Sequence, residues 1–240
     1  NLRMRKIFLI VFTFVFCVQT NAQTTVGDNI DAPLELNTIT TSVPFLIIGP
    51  DSRSGGMGDV GVASTPDVNS MHWNPAKYAF VKDDMGIAMN YVPWLRSLVP
   101  DISLSYLSGY IRRNDNEVIG MSLRYFSLGD ITFTDITGTT IGQYKPNELA
   151  VSGAYARKLS ENYSIAIAVR YIYSDLTGGQ TLQGGLGTHA GQSIAADISS
   201  YFQKEIRLGR KDFDWAIGLN ISNLGNKISY TETAVRDFIP

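Results

Sequence analysis

Residues 147–174 read NELAVSGAYARKLSENYSIAIAVRYIYS and contain two long segments in which the side-chain type alternates. In both segments, large apolar side chains occupy every second position, and mostly alanine, serine or charged residues stand between them. This period of two predicts β-strands, here over 147–158 and 163–174. Both segments are longer than the roughly 5–6 residues usual for strands in soluble proteins. They match the roughly 9–11 residues that a tilted transmembrane strand needs.

The same alternation continues on both sides and predicts seven strands. The predicted strands are 84–91, 102–111, 117–127, 147–158, 163–174, 192–203 and 214–223. The predicted connections mostly alternate in length, and the first, third and fifth are the long ones. Because outer-membrane barrels have short periplasmic turns and longer extracellular loops, we expect an all-β protein, a transmembrane antiparallel β-barrel. A soluble β-sandwich shows the same alternation with its apolar face inward, and the connection lengths favour the membrane.

The N-terminus has the composition of a secretory signal peptide. Arg5 and Lys6 precede an apolar run over 7–18, and small or polar residues follow it. A basic head, a short apolar core and a small-residue exit are typical of a cleaved signal, and the run is too short to cross about 30 Å of hydrocarbon as a helix. We expect a signal peptide at 1–22, with 1–3 upstream of the true start.

Residues 23–42 are predicted to form a periplasmic extension, and 43–83 do not alternate. Two short helices are predicted in the second segment, one from Pro66 and one after Asn74-Pro75, because proline favours the first helical position. We expect 43–83 to fold as a plug inside the barrel. Residues 84–240 would be the first half of the barrel, because seven strands are few for such a protein.

A glycine-rich stretch and the sequence Trp-Asn-Pro form the predicted plug motif. Its residues are Gly56, Gly58, Gly61, Trp73, Asn74 and Pro75. The glycines match the spacing G-x-G-x-x-G, but no βαβ unit surrounds them as a dinucleotide site requires, so we expect them to allow tight packing. Four ionisable residues are predicted to face the lumen: Arg124, Glu148, Arg170 and Asp197. We expect them to pair with each other or with the plug, and a solute pathway is the alternative.

The composition argues against several classes of function. The formal net charge is −2 and no run rich in lysine and arginine is present, which argues against nucleic acid as a partner. The two histidines, His72 and His189, are too few for a histidine-rich metal site. Since no serine lies in a nucleophile motif, we expect no catalytic residue, no metal, no cofactor and no enzyme activity.

Two motifs carry a resemblance to a known family. The chain resembles the FadL-like outer-membrane superfamily, and within it the PorV-like barrels of the type IX secretion system of Bacteroidetes, at 55–63 (GGMGDVGVA) and 73–76 (WNPA). Supporting stretches are 42–47 (SVPFLI), 67–70 (DVNS) and 220–225 (NISNLG). The resemblance covers residues from about 40 to the end, and it implies a barrel of about 14 strands.

The resemblance also implies a role in protein export across the bacterial outer membrane. PorV-like proteins collect cargo with a C-terminal signal domain from the translocon barrel and deliver it to a PorU-type sortase, which attaches it to the cell surface. The implied partners are therefore the translocon, the sortase, the signal domains and the lipid bilayer. The candidate partner-binding residues in the long loops are Ile131, Phe133, Ile136 and Leu182. The alternative function is a FadL-type channel for hydrophobic small molecules.

Overall fold

The computed structural model describes residues 43–96, 101–134, 137–179, 188–208, 211–226, 228 and 230. The predicted signal peptide at 1–22 and the predicted extension at 23–42 lie outside these residues. The described residues belong to one compact unit, Thr41–Pro240.

The described part of the chain forms one large antiparallel sheet and one small hairpin. The strands are β1 Met85–Pro93, β2 Ser103–Asn114, β3 Glu117–Ser127, β4 Ile131–Thr134, β5 Thr140–Tyr144, β6 Asn147–Ser160, β7 Tyr163–Asp175, β8 Gly191–Leu208 and β9 Lys211–Gly225. The large sheet has the order β1-β2-β3-β6-β7-β8-β9, and every neighbouring pair is antiparallel. The predicted all-β class is thus confirmed as a seven-stranded half-barrel sheet.

Two of the predicted connections are wrong. The connection 128–146 was expected to lack strands, but it contains β4 and β5, which pair with each other. These strands have only four and five residues, too few for a period of two to be recognised among threonines and glycines. The predicted connection 204–213 is also largely strand, because β8 continues to Leu208 and β9 begins at Lys211. Charged residues on both faces of this extension hide its alternation in the sequence.

The observed connections differ in length at the two ends of the sheet. The connections 115–116, 161–162 and 209–210 have two residues each, and they join strands at one end. The longer connections are 94–102, 128–146 and 176–190, and they join strands at the other end. This asymmetry is sharper than the one read from the sequence, and it is typical of outer-membrane barrels.

The two faces of the sheet carry different side chains. We call the face that residues 43–83 contact the inward face. On β6 and β7 its buried residues are Glu148, Ala150, Ser152, Ala154, Ala156, Ser164, Ala166, Ala168, Arg170, Ile172 and Ser174. The outward face is apolar and exposed, as shown by Ile87 at 76%, Met89 at 77% and Ile167 at 57%. A face with so many exposed large apolar side chains is suited to lipid rather than water.

Residues 43–83 lie against the inward face and form four short helical turns. These are a 3₁₀ helix Pro44–Ile47, α1 Ser52–Gly56, α2 Ser70–Trp73 and a second 3₁₀ helix Pro75–Phe80. The helix predicted after Asn74 is present, but the one predicted from Pro66 begins only at Ser70. The Ser70 hydroxyl accepts the Asp67 N–H at 3.0 Å, and this local bond holds 67–70 in a turn instead.

Two hydrophobic clusters join residues 43–83 to the sheet. In the first, Met71 and Tyr78 pack with alanines of β6 and β7. In the second, Phe45 and Leu46 pack with Leu104 and other residues of the neighbouring strands. Within the described residues, no helix is both long enough and apolar enough to cross a membrane.

Candidate functional site

Asn74 connects residues 43–83 to the sheet through its side-chain amide. The residue is fully buried, and its Nδ2 donates to the carbonyls of Val62 at 3.0 Å and Ser200 at 2.9 Å. Its Oδ1 accepts the N–H of Ala76 at 3.0 Å and so caps the second 3₁₀ helix. One side chain therefore satisfies three backbone groups from three parts of the chain.

The residues after Asn74 add a second set of bonds to β7 and β8. Pro75 occupies the first helical position and has no N–H that would need a partner. The N–H of Ala76 also approaches the Ser199 hydroxyl at 3.1 Å, and its carbonyl accepts from the Ser164 hydroxyl at 2.7 Å. The Asn-Pro-Ala sequence is thus a fixed attachment point on the inward face.

Trp73 organises the glycine-rich stretch around its indole ring. Its Nε1 donates to Asp51 Oδ1 at 2.9 Å, while the other oxygen of Asp51 caps α1. A Cβ on Gly61 would lie 2.2 Å from this ring, so a larger residue would force a shift. A Cβ on Gly56 or Gly58 would meet nothing within 4 Å, and Gly58 has a positive φ of 82°. The predicted tight packing therefore applies to Gly61, whereas Gly58 serves a left-handed turn.

Lys77 is a buried cation that binds the same stretch. Its ammonium group donates to the Gly61 carbonyl and to the Ser64 hydroxyl, both at 2.9 Å. Burial lowers the pKa of Lys77 to about 8, and the carboxylates of Asp67 and Asp51 only partly oppose this. The charge on Lys77 is therefore easier to remove than that of an exposed lysine.

Arg124 extends from β3 to the first 3₁₀ helix. Its Nη1 donates to the carbonyls of Phe45 at 2.9 Å and Leu46 at 2.8 Å, and its Nη2 lies 2.7 Å from His72 Nδ1. Because a guanidinium group can only donate, Nδ1 of His72 is the acceptor and its proton resides on Nε2. Burial, followed by the charges of Arg124 and Arg170, lowers the pKa of His72 well below its usual range. His72 is therefore neutral.

Arg170 binds groups on three other strands. Its Nε donates to the Ser152 hydroxyl at 3.0 Å, its Nη2 to Asp197 Oδ2 at 2.8 Å and its Nη1 to Asn223 Oδ1. The other oxygen of Asp197 accepts the N–H of Asn223 at 2.7 Å. Asp197 lies where the register between β8 and β9 shifts, so the ion pair also supports this irregularity.

Glu148 has different surroundings from the other predicted lumen residues. It is buried on β6 near the end with the long connections, and it accepts from the Ser174 hydroxyl at 2.7 Å. Tyr230 donates to the same hydroxyl at 2.9 Å. Among the described residues, no lysine or arginine nitrogen lies within 4.0 Å of the carboxylate.

The four predicted lumen residues are therefore all buried on the inward face, but their partners differ. Arg170 forms an ion pair with Asp197. Arg124 binds residues 43–83, and Glu148 binds a serine of the neighbouring strand.

The predicted partner-binding residues are only partly described. Ile131 begins β4 and is 39% exposed. The backbone of Phe133 pairs with Gly142 in the hairpin, while its side chain lies outside the described part. Ile136 and Leu182 lie outside the described residues altogether. Their role in partner binding stays a prediction.

Sequence reasoning did not identify how α2 is tied to β1 and β2. Asn69 Oδ1 accepts from Asn90 Nδ2 at 2.9 Å and from the Ser108 hydroxyl at 3.0 Å. Asn90 and Ser108 are polar residues at inward positions. A polar residue on the packed face of a strand needs a partner, and this was the signal available in the sequence.

The comparison with protein families gives a match that covers most of the chain. The matching family is described as "Type IX secretion system protein PorV", and the match spans residues 32–240. This range includes 43–83 and every strand described above. No curated protein matches the chain. The length of the family match shows that this chain belongs to the PorV family of type IX secretion system proteins.

Proposed function

We propose that this protein is the cargo shuttle of a type IX secretion system. It binds the C-terminal signal domain of translocated cargo and carries it from the translocon barrel to the sortase complex that attaches cargo to the surface. In this proposal the protein itself performs no catalysis. Membership of the PorV family makes it a type IX secretion component, and together with the half-barrel sheet it indicates the outer membrane.

The observation that carries the proposal is the hairpin in the connection 128–146. It lies at the end of the sheet with the long connections, which is the extracellular end in outer-membrane barrels. β4 and β5 pair with each other and form a sheet separate from the seven strands, with Ile131 opposite Tyr144. Two paired strands offer backbone edges in a defined geometry, which suits recognition of a protein domain.

The packing of the inward face gives a second argument for a shuttle over a channel. Residues 43–83 contact this face through two hydrophobic clusters and through the buried groups of Asn74 and Arg124. A pathway for hydrophobic molecules along the inward face of the described strands would have to displace this segment and leave buried charges without partners, which is costly.

The test is to replace 130–145 by a short glycine-serine turn in the cell. We expect the variant to reach the outer membrane at normal level, while cargo accumulates with its signal domain uncleaved and is not attached to the surface. Normal processing of cargo in this strain would refute the role of the hairpin. Loss of growth on a hydrophobic nutrient, with normal processing, would support the channel function instead.

A matched pair of point variants sharpens this test. Ile131→Asp and Thr132→Asp place the same charge at neighbouring exposed positions of β4. Successive residues of a strand point to opposite faces. We expect Ile131→Asp to slow cargo processing more than Thr132→Asp does, because a carboxylate in an apolar contact must be desolvated. Equal effects of the two variants would show that cargo does not bind the apolar side of the hairpin.

A further inference from the structure

The β4–β5 hairpin is too short to be ordered by its own pairing. Its strands have four and five residues, and an isolated two-stranded hairpin is marginally stable at best in water. Its base is closed by the N–H of Leu128, which donates to the carbonyl of Pro146 at 3.1 Å. Contacts with other parts of the chain are therefore needed to fix the hairpin relative to the sheet.

Asp101, in the connection 94–102, binds the chain immediately before β4. Its Oδ2 accepts the N–H of Asp130 at 2.7 Å. The carboxylate also lies directly against Gly129, where an added Cβ would overlap all three of its atoms. Gly129 is buried and has a φ of +80°, a conformation that glycine adopts without steric cost. One long connection is thus packed onto the first end of the hairpin.

Asp175, the last residue of β7, binds the other end of the hairpin. The hydroxyl of Tyr144, the last residue of β5, donates to this carboxylate. Oδ1 of Asp175 also accepts the N–H of Gly178 at 3.0 Å. Gly178 has a φ of +60°, and a Cβ there would lie 2.7 Å from the Tyr144 ring. The start of the connection 176–190 is thus packed against the end of β5.

The two ends of the hairpin are held in the same way. At each end an aspartate from another connection or strand forms a hydrogen bond, and a glycine with a positive φ allows a close approach. The three long connections are therefore joined at this end of the sheet. Holding a binding segment in its bound geometry reduces the ordering cost of association.

We propose that Asp101 and Asp175 are positioning residues, which hold the β4–β5 hairpin in the geometry that binds the signal domain of cargo. This role presupposes that the hairpin binds cargo, as proposed above. The two carboxylates act by raising the fraction of molecules with an ordered hairpin, without touching cargo. The apparent dissociation constant is the intrinsic constant divided by that fraction, so loss of either contact weakens binding.

The experiment measures binding kinetics of the full-length protein in detergent micelles on an immobilised C-terminal signal domain of one cargo protein. We expect Asp101→Ala to lower the association rate constant about threefold, because a marginal hairpin loses part of its ordered population, and to leave the dissociation rate constant unchanged. Ile131→Asp alters the proposed contact itself and should chiefly raise the dissociation rate constant. The matched control is Asp130→Ala, which removes a nearby carboxylate but keeps the N–H that Asp101 binds, and we expect it to leave both constants unchanged.

Hydrogen exchange tests the two contacts without cargo. We expect Asp101→Ala to make the amides of β4 and β5 exchange about tenfold faster, as for one lost hydrogen bond to a charged group. Gly178→Ala should also accelerate them, because its Cβ would overlap the Tyr144 ring. Gly179→Ala is its control, since Gly179 has a similar φ of +71° but a Cβ there meets nothing within 4 Å. Equal exchange in Gly178→Ala and Gly179→Ala would overturn the contact at Asp175 and Tyr144.

The outcomes separate this role from the shuttle function. An unaltered association rate constant in Asp101→Ala would overturn the positioning role, and so would a change confined to dissociation, which would place Asp101 in contact with cargo. Failure of the unchanged protein to bind the signal domain would refute the shuttle function, and with it any positioning for cargo. Binding by the unchanged protein, with equal association in all variants, would refute the positioning role alone.

Discussion

The substitution Asn74→Ala tests how firmly residues 43–83 are attached to the sheet. It removes the amide that binds the carbonyls of Val62 and Ser200 and the N–H of Ala76. The N–H keeps a second acceptor in the Ser199 hydroxyl, and Ser200 stays paired with the neighbouring strands on both sides. The part-buried carbonyl of Val62 is therefore the group that loses its partner. At about 1–3 kcal/mol for a buried group left unsatisfied, we expect a loss of about 2 kcal/mol in the stability of this attachment.

Hydrogen exchange of backbone amides measures this free energy at the site itself. Local opening governs exchange, and about 1.4 kcal/mol corresponds to a factor of ten, so amides of the second 3₁₀ helix should exchange about thirtyfold faster in Asn74→Ala. Amides in the middle of β6 should change far less, because their strand pairing is unaffected.

Asn114→Ala is the matched control, because it removes two exposed side-chain hydrogen bonds at a short turn, one to Glu117 and one from the N–H of Asn116. We expect it to leave exchange in the 3₁₀ helix unchanged. If Asn74→Ala accelerates exchange there by less than about threefold, the buried amide is not what holds the segment, and the reasoning from an unsatisfied carbonyl fails.

Three further predictions concern the same face, and each is measured by unfolding of the purified protein. Gly61→Ala should destabilise the folded protein by roughly 1–3 kcal/mol, because the added Cβ would overlap the indole ring of Trp73. In the control Gly56→Ala the added Cβ meets no atom, so this variant should be neutral or stabilising, and equal effects of the two variants would refute the packing argument. Lys77 has a pKa of about 8 when folded and near 10.5 when unfolded. Between these pH values the unfolded chain binds one more proton than the folded protein, so the free energy of unfolding should rise with pH above 8, by up to about 3 kcal/mol. Lys77→Met should abolish this rise, and a rise of the same size in the variant would exclude Lys77 as its source. Arg170→Met should lower the free energy of unfolding by about 3–5 kcal/mol, because it leaves the Asp197 carboxylate buried and unpaired. Adding Asp197→Asn should restore part of this loss, and no recovery in the double variant would show that the ion pair is not the cause.

The strands of this protein could be predicted because their signal is local. Along β6 and β7 successive residues face opposite sides of the sheet. Outward positions therefore carry mostly large apolar side chains, and inward positions carry mostly small or polar ones. The inward set from Glu148 to Ser174 follows from this period of two, and the connection predicted at 159–162 contains the observed turn at 161–162. The signal fails for β4 and β5, which are too short, and for the charged end of β8 and β9, where water on both faces removes the constraint.

The candidate site was predicted only as a set of buried ionisable residues. That Arg124, Glu148, Arg170 and Asp197 would face inward follows from their positions in the alternation. Their partners do not, because a partner depends on which strands become neighbours and on the register between them. The same holds for the glycines. Gly61 and Gly58 look alike in the sequence, but Gly61 lies against an indole ring and Gly58 faces open space.

The sequence by itself therefore determined the all-β class, the long antiparallel strands and the family, because alternation and short motifs are properties of neighbouring residues. The tertiary structure alone decided what residues 43–83 bind. Arg124 meets the carbonyl of Phe45 across 79 positions, and Asn74 meets that of Ser200 across 126. Contacts over such separations form only when the strands are in register, so no local sequence pattern predicts them.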